Sequence, residues 1–209
     1  MSLRNYATLA LAAGLCVSMT ACVSLFPKAK PAQLYTFKAA VAEAAAAPKP
    51  AAVTVLRAPT QFTRAASSDR ILTRNGTQDA YIAEARWSAP ASILFDEALS
   101  AAFDNSAVRL ATRGEPGPSD AVLRVEVRTF EADYRDGPGA APTAVVDARA
   151  TLINLKNRNE IGTKLFHAEH KANDNRTGPI VEAYDDAVAD LMKQLVRWTT
   201  ETVKPANAP

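Results

Sequence analysis

Both cysteines of this 209-residue chain, Cys16 and Cys22, fall within its first 22 residues, so whatever folds beyond them has no disulfide to hold it together. The segment that carries them has the layout of a secretory signal. Arg4 gives a short positive start, Tyr6 to Val17 is a run of Ala, Leu, Gly and Val broken by one Thr and one Cys, and small residues follow at Ser18, Thr20 and Ala21. The run is too short to cross a bilayer comfortably, which takes about 20 apolar residues, and the order of features is that of a signal removed on export. Removing residues 1–21 leaves 188 and lowers the formal net charge from +2 to +1 as Arg4 departs. That length suits one domain with tails. Hydrophobic residues make up 48% of the chain, but much of that share is alanine and only 7% of the chain is aromatic, which is enough for a single core. Lys and Arg are scattered rather than gathered into a stripe, which argues against a nucleic-acid partner.

Thr20 and Ala21 stand directly before Cys22, and this stretch resembles a bacterial lipobox, with Met19 where Leu, Val or Ile is more usual. The resemblance implies cleavage between Ala21 and Cys22 and a diacylglyceryl group on the Cys22 sulfur. Acylation of the new amine is a further step, with palmitate among the chains expected. Each buried methylene contributes roughly 0.8 kcal/mol and one chain holds only marginally, so durable anchoring needs two or three. Cys16 is a poor competing acceptor because Leu15 before it is too large for the cleavage site. The alternatives are a plain secreted protein with incidental cysteines and an uncleaved N-terminal helix.

Residues 22–33 read as a tether and 34–202 as the folded domain, followed by a polar tail at 203–209. Gln33 to Phe37 has the aromatic and β-branched content of a strand. Residues 39–52 collapse to alanine with Pro48 and Pro50, an insert with no large apolar face and therefore an exposed connector. Val53 to Leu56 predicts a strand. Asn75-Gly76, between the segments 69–74 and 77–83, predicts a hairpin with a type I′ turn. Ser88 is the expected cap of a helix reaching about Asp104, with Pro90 in its first turn and Ile93, Leu94, Ala98, Leu99, Ala102 and Phe103 on its buried face.

After a short strand at 107–111, Leu123, Val125 and Val127 alternate with Arg124, Glu126 and Arg128. Val146, Ala148, Ala150 and Leu152 alternate in the same way, and Gly162 to Ala172 is a third strand, so 121–172 predicts an antiparallel meander. In the last helix, Val181, Tyr184, Val188, Leu191, Leu195 and Trp198 recur at steps of three and four. Such a stripe lies against the chain's own sheet or forms a coiled-coil seam. The expected fold is α+β, a mostly antiparallel sheet covered on one face by two helices.

No residue pattern assembles a catalytic centre. His167 and His170 are the only histidines, and residues three apart in a strand point to opposite faces, so they do not converge on one metal. Serines are present without a Gly-x-Ser-x-Gly elbow. Asp185-Asp186 reads as a solvated helix face. Asn173-Asp174-Asn175 lacks the glycine and distal glutamate of a calcium loop. Phosphate-cradling Gly-rich patterns are absent. The expectation is a binding or assembly protein that is not an enzyme and takes no cofactor or metal.

The order of certain features is similar to that of the ABC-type transport auxiliary lipoprotein family, which includes the lipoprotein of the paraquat-inducible transporter. They are the lipobox cysteine, Tyr35-Thr36-Phe37, Val53-Thr54-Val55, Asp69-Arg70, Thr73-Arg74-Asn75-Gly76 and Arg86-Trp87-Ser88-Ala89-Pro90. The departures are Phe37, where leucine is more usual, and the insert at 39–52. The resemblance implies a periplasmic lipoprotein anchored in the inner leaflet of the outer membrane, with Val23 after the lipidated cysteine compatible with that sorting. Its partners would be a substrate-binding protein of the mammalian-cell-entry (MCE) type with its permease and ATPase, moving lipids between membranes. Docking would proceed by strand addition or through the surface around Arg86 and Trp87, with Trp87 alternatively a core residue. A homo-oligomeric ring at the end of a lipid conduit is a related expectation. A scaffold or activator of cell-envelope enzymes and a periplasmic lipid carrier remain as other readings.

Overall fold

A computed structural model of the chain describes residues 31–37, 53–104 and 106–203. The signal, Cys22, most of the tether, the insert at 39–52 and nearly all of the tail lie outside the described residues.

The spine of the sheet is the longest strand, Ala121–Asp133. Its Leu123, Val125 and Val127 are buried, while the alternating Arg124 and Arg128 are exposed and Glu126 is half-buried, as the alternation predicts. A bulge between Val127 and Thr129 then shifts the parity, so that Phe130 and Ala132 continue the buried face. In chain order the strands are β1 Gln33–Tyr35, β2 Val53–Arg57, β3 Gln61–Phe62, β4 Arg70–Asn75, β5 Gln78–Trp87, β6 Val108–Ala111, β7 Ala121–Asp133, β8 Thr143–Asn154 and β9 Glu160–Lys171.

One side of β7 pairs with β8 along its whole length, from Ala121↔Asn154 to Asp133↔Thr143, and β9 pairs with β8 in turn. This is the predicted antiparallel meander. The other side of β7 is met by three short strands in succession, β2 at Ala121, β3 at Glu126 and β4 at Ala132, all parallel to it. Beyond them β5 runs antiparallel to β4, while β1 and β6 add parallel contacts at the margins. The sheet is therefore mixed. Its long ladders are antiparallel, and the parallel pairings are brief.

The hairpin of β4 and β5 forms where predicted, but its turn differs. Asn75 pairs with Gln78, so the central residues are Gly76 and Thr77, and of the four only Gly76 has positive φ, at 58°. A single left-handed residue at the first central position is the requirement of a type II′ turn. Asn75 stays in the ladder.

The first helix, α1, spans Ala91–Phe103. Ser88 does not cap it. Pro90 occupies the cap position without a side-chain hydrogen bond, and the Ala91 amide donates to the Ser68 carbonyl at 3.0 Å, so a neighbouring loop satisfies a donor that the cap was expected to serve. Ile93 is 49% exposed, and Phe95 is fully buried in its stead. The reason is spacing: Ala91, Leu94, Phe95, Ala98, Leu99 and Phe103 make one stripe, whereas Ile93 shares the opposite side with Glu97 and Ser100.

The second helix, α2, spans Thr177–Thr202 and buries Val181, Tyr184, Val188, Leu191 and Leu195 as the stripe predicts. It packs on β8 and β9, with Trp198 edge-on to Phe166 at 5.6 Å. Gly162 allows this approach: a Cβ there would sit 3.4 Å from Thr202 Cγ2 and 3.6 Å from the Trp198 ring. Helix α1 packs against α2 and β6. With no disulfide available, aromatic packing concentrates the core. Phe130 and Tyr184 lie 5.0 Å apart, and Phe62 bridges Phe130 to Phe95 at 5.6 and 5.4 Å.

Candidate functional site

The sequence features at Tyr35, Asp69-Arg70 and Arg86 to Pro90 meet at one junction. The Ser88 amide donates to the Tyr35 carbonyl at 2.6 Å, and the Trp87 amide donates to the Asp69 carbonyl at 2.7 Å. The Arg86 guanidinium pairs with the Asp69 carboxylate at 3.0 Å. Arg70, next along, lies 3.7 Å from the centre of the Tyr81 ring. These residues tie the edge strand β1, the hairpin and the start of α1 together, which gives their joint occurrence a structural cause.

Within this junction the two residues singled out for partner binding part company. Trp87 is only 2% exposed and stands edge-on to Phe37 at 5.1 Å and to Tyr184 at 5.3 Å, inside the aromatic core. Its indole is out of a partner's reach, so the surface role proposed for Trp87 is corrected to a core role. Strand alternation explains it, since β5 turns Ala85 and Trp87 inward and Arg86 outward. Arg86 is exposed, and Leu34 lies directly beside it in register, 68% exposed. No described strand pairs with the outer side of β1. Leu34 was not singled out from the sequence; only its edge position makes it stand out.

The histidines lie on opposite faces of β9. His167 Nδ1 is 2.6 Å from Asp147, and His170 Nε2 is 2.8 Å from Asp190 of α2. Hydrogen bonds from Lys193 and then from His170 hold the Asp190 carboxyl below its ordinary range. Near the end of β7, Glu131 is 6% exposed, and burial raises its pKa against the pull of Arg74, whose Nη2 is 3.2 Å away. A hydrogen bond to Asp79 is the main reason the Arg74 guanidinium is raised in its turn. Glu131 faces structural partners in the sheet. Asp185 and Asp186 occupy the third turn of α2, and the 173–175 stretch serves the loops, where the Asn175 side chain accepts from Tyr134 at 2.8 Å and donates to the Pro138 carbonyl at 3.1 Å.

A family model described as the ABC-type transport auxiliary lipoprotein component matches residues 35–196. The chain belongs to that family. No curated protein matches the chain. Among solved structures, protein XCC0632 from Xanthomonas campestris is similar at 22% identity and a TM-score of 0.70, over 82% of this chain and 96% of that one. An uncharacterised protein is similar at 15% identity and a TM-score of 0.63, over 81% and 99% of the two chains. At these identities the likeness establishes the fold. No helix among the described residues is long and apolar enough to cross a membrane.

Proposed function

We propose that this auxiliary lipoprotein is acylated at Cys22 after cleavage behind Ala21 and sits on the periplasmic face of the outer membrane. There its domain docks the MCE-type substrate-binding protein of an ABC transporter that moves lipid between membranes. The observation that carries the docking part is the side of β1 that no described strand pairs with, with Leu34 exposed beside Arg86. An edge strand offers a row of backbone donors and acceptors to an incoming strand, and flanking side chains select the partner. The reading also takes both helices to lie on one face of the sheet, which leaves the other face and the β1 edge to partners or to further copies of the chain. The protein itself performs no catalysis in this reading, and ATP hydrolysis belongs to the transporter's ATPase.

Two measurements test this. Intact mass and membrane fractionation of the wild type beside Cys22→Ser should show acyl mass and outer-membrane association that the variant loses; an unmodified, freely periplasmic wild type sinks the anchor. Photo-crosslinkers at positions 34 and 86 should transfer to a co-expressed MCE protein or its permease. Crosslinks to a cell-wall synthase alone would move the reading to an envelope-enzyme scaffold.

A further inference from the structure

The strands that cover the far side of β7 leave a gap. β2 pairs with β7 as far as Leu123, and β3 resumes the pairing at Glu126. Between them residues 58–60 loop across, held by one backbone bond from the Ala58 amide to the Leu123 carbonyl at 3.0 Å. Under this loop opens a cleft of about 660 Å³, in the size range of a small-molecule site. Its polar lining residues are Thr60, Gln61, Arg124, Glu126, Arg149 and Thr151.

Most of these groups are already engaged. Glu126 pairs with Arg128 at 3.1 Å, Thr60 donates to Asp96 at 2.6 Å, and Thr151 shares a hydrogen bond with Thr163 at 2.9 Å. The two guanidinium groups are the exceptions. Among the described residues neither Arg124 nor Arg149 has an ion-pair or hydrogen-bond partner, and the Arg149 Nε is buried with its donor unsatisfied. A buried donor on a permanent cation carries a desolvation cost that an internal acceptor would ordinarily offset. Arg149 stands opposite Glu126 in register, two residues along the ladder from the Arg124↔Thr151 pair and therefore on the same face, so the two cations border the same gap from adjacent strands.

We propose that this cleft is a binding site for a phosphate-type oxyanion, gripped by the Arg149 fork and neutralised by Arg124, with Gln61 supplying a further donor. A guanidinium matches two oxygens of a phosphate at once, which a lysine does not. The phosphate arrives as a free ion or small ester, or as the headgroup of an anionic lipid. The site uses none of the residues of the β1 edge and stands or falls apart from the docking reading.

The test is calorimetric titration of the full-length protein with inorganic phosphate and, separately, with monomeric dihexanoyl phosphatidylglycerol, against chloride at matched ionic strength. Saturable binding of phosphate identifies a free-anion site, and binding of the short-chain lipid alone identifies a headgroup site. Arg149→Gln should weaken the ligand that binds by about tenfold or more, Arg149→Lys by less, and Arg176→Gln, whose guanidinium pairs with Asp174 outside the cleft, should leave it unchanged. Should Arg149→Gln fail to fold, Arg149→Lys and Arg124→Gln carry the comparison. Heats indistinguishable from chloride for both ligands, or binding that survives in the arginine variants at wild-type strength, would overturn the proposal.

Discussion

Replacing Trp87 with alanine is expected to destabilise the fold by about 3–5 kcal/mol, the usual cost of truncating a buried tryptophan. The side chain is 2% exposed and contacts Phe37, Phe130 and Tyr184. An indole buries about 150–250 Å², worth roughly 4–6 kcal/mol at about 25 cal/mol per Å² as an upper bound. The cavity left behind adds to the loss. One contribution runs the other way, because the buried Trp87 Nε1 has no acceptor among the described residues, and deleting an orphaned donor recovers about 1–3 kcal/mol. Trp87→Phe separates these effects. It keeps a ring against Phe37 and Tyr184 while removing the N–H, and should cost under about 1.5 kcal/mol. Urea unfolding followed by far-ultraviolet circular dichroism, on the Cys22→Ser background, measures both. An alanine variant within about 1 kcal/mol of the parent, with capture of the transporter lost, would refute the core assignment and restore Trp87 to an interface.

Three further outcomes follow from the same packing. Tyr184→Phe removes the hydroxyl that donates to the Leu72 carbonyl at 2.7 Å deep in the core, and should lower stability by about 1–3 kcal/mol in the same urea assay. Gly76→Ala puts a side chain at φ +58° with nothing within 4 Å to clash, so its cost, about 1–2 kcal/mol, comes from the backbone alone; Gly139→Ala, at ordinary φ, should be neutral or slightly stabilising in thermal melts. Glu131 has its folded pKa raised above the ordinary value of 4.5, chiefly by burial. The folded state therefore holds the proton more tightly, and this contribution is fully present below the unfolded pKa and lost as pH rises through the folded one. Glu131→Gln should flatten that decline in melts from about pH 4 upward, and an unchanged slope would rule Glu131 out as its source.

The candidate sites were legible to different degrees. Arg86 could be found because it belongs to a run, Arg86 to Pro90, whose company with Tyr35 and Asp69 is explained by the hydrogen bonds among them. Trp87 shows the limit of reading such a run, since a residue beside an exposed arginine in a strand faces the other way. Arg124 and Arg149 read as members of a solvated face, because Glu126 and Arg128 follow Arg124 in strict alternation. Nothing in that alternation reveals that residues 58–60 leave a gap over them, or that Arg128 takes Glu126 and leaves the other two cations without a carboxylate among the described residues.

What the sequence by itself determined is what depends on neighbours along the chain. The alternation in 121–128 and 146–152 and the three-and-four spacing from Val181 to Trp198 specify which side of each element is buried, and an Asn-Gly pair is enough to mark a hairpin. The tertiary structure alone decided the order of strands across the sheet, the type II′ turn, the capping of α1 by the Ser68 carbonyl and the bulge that turns Phe130 inward. Those outcomes depend on which distant segment supplies the acceptor or the packing surface. Local propensities differ by about 1 kcal/mol or less, and a buried hydrogen bond or a filled core position outweighs them.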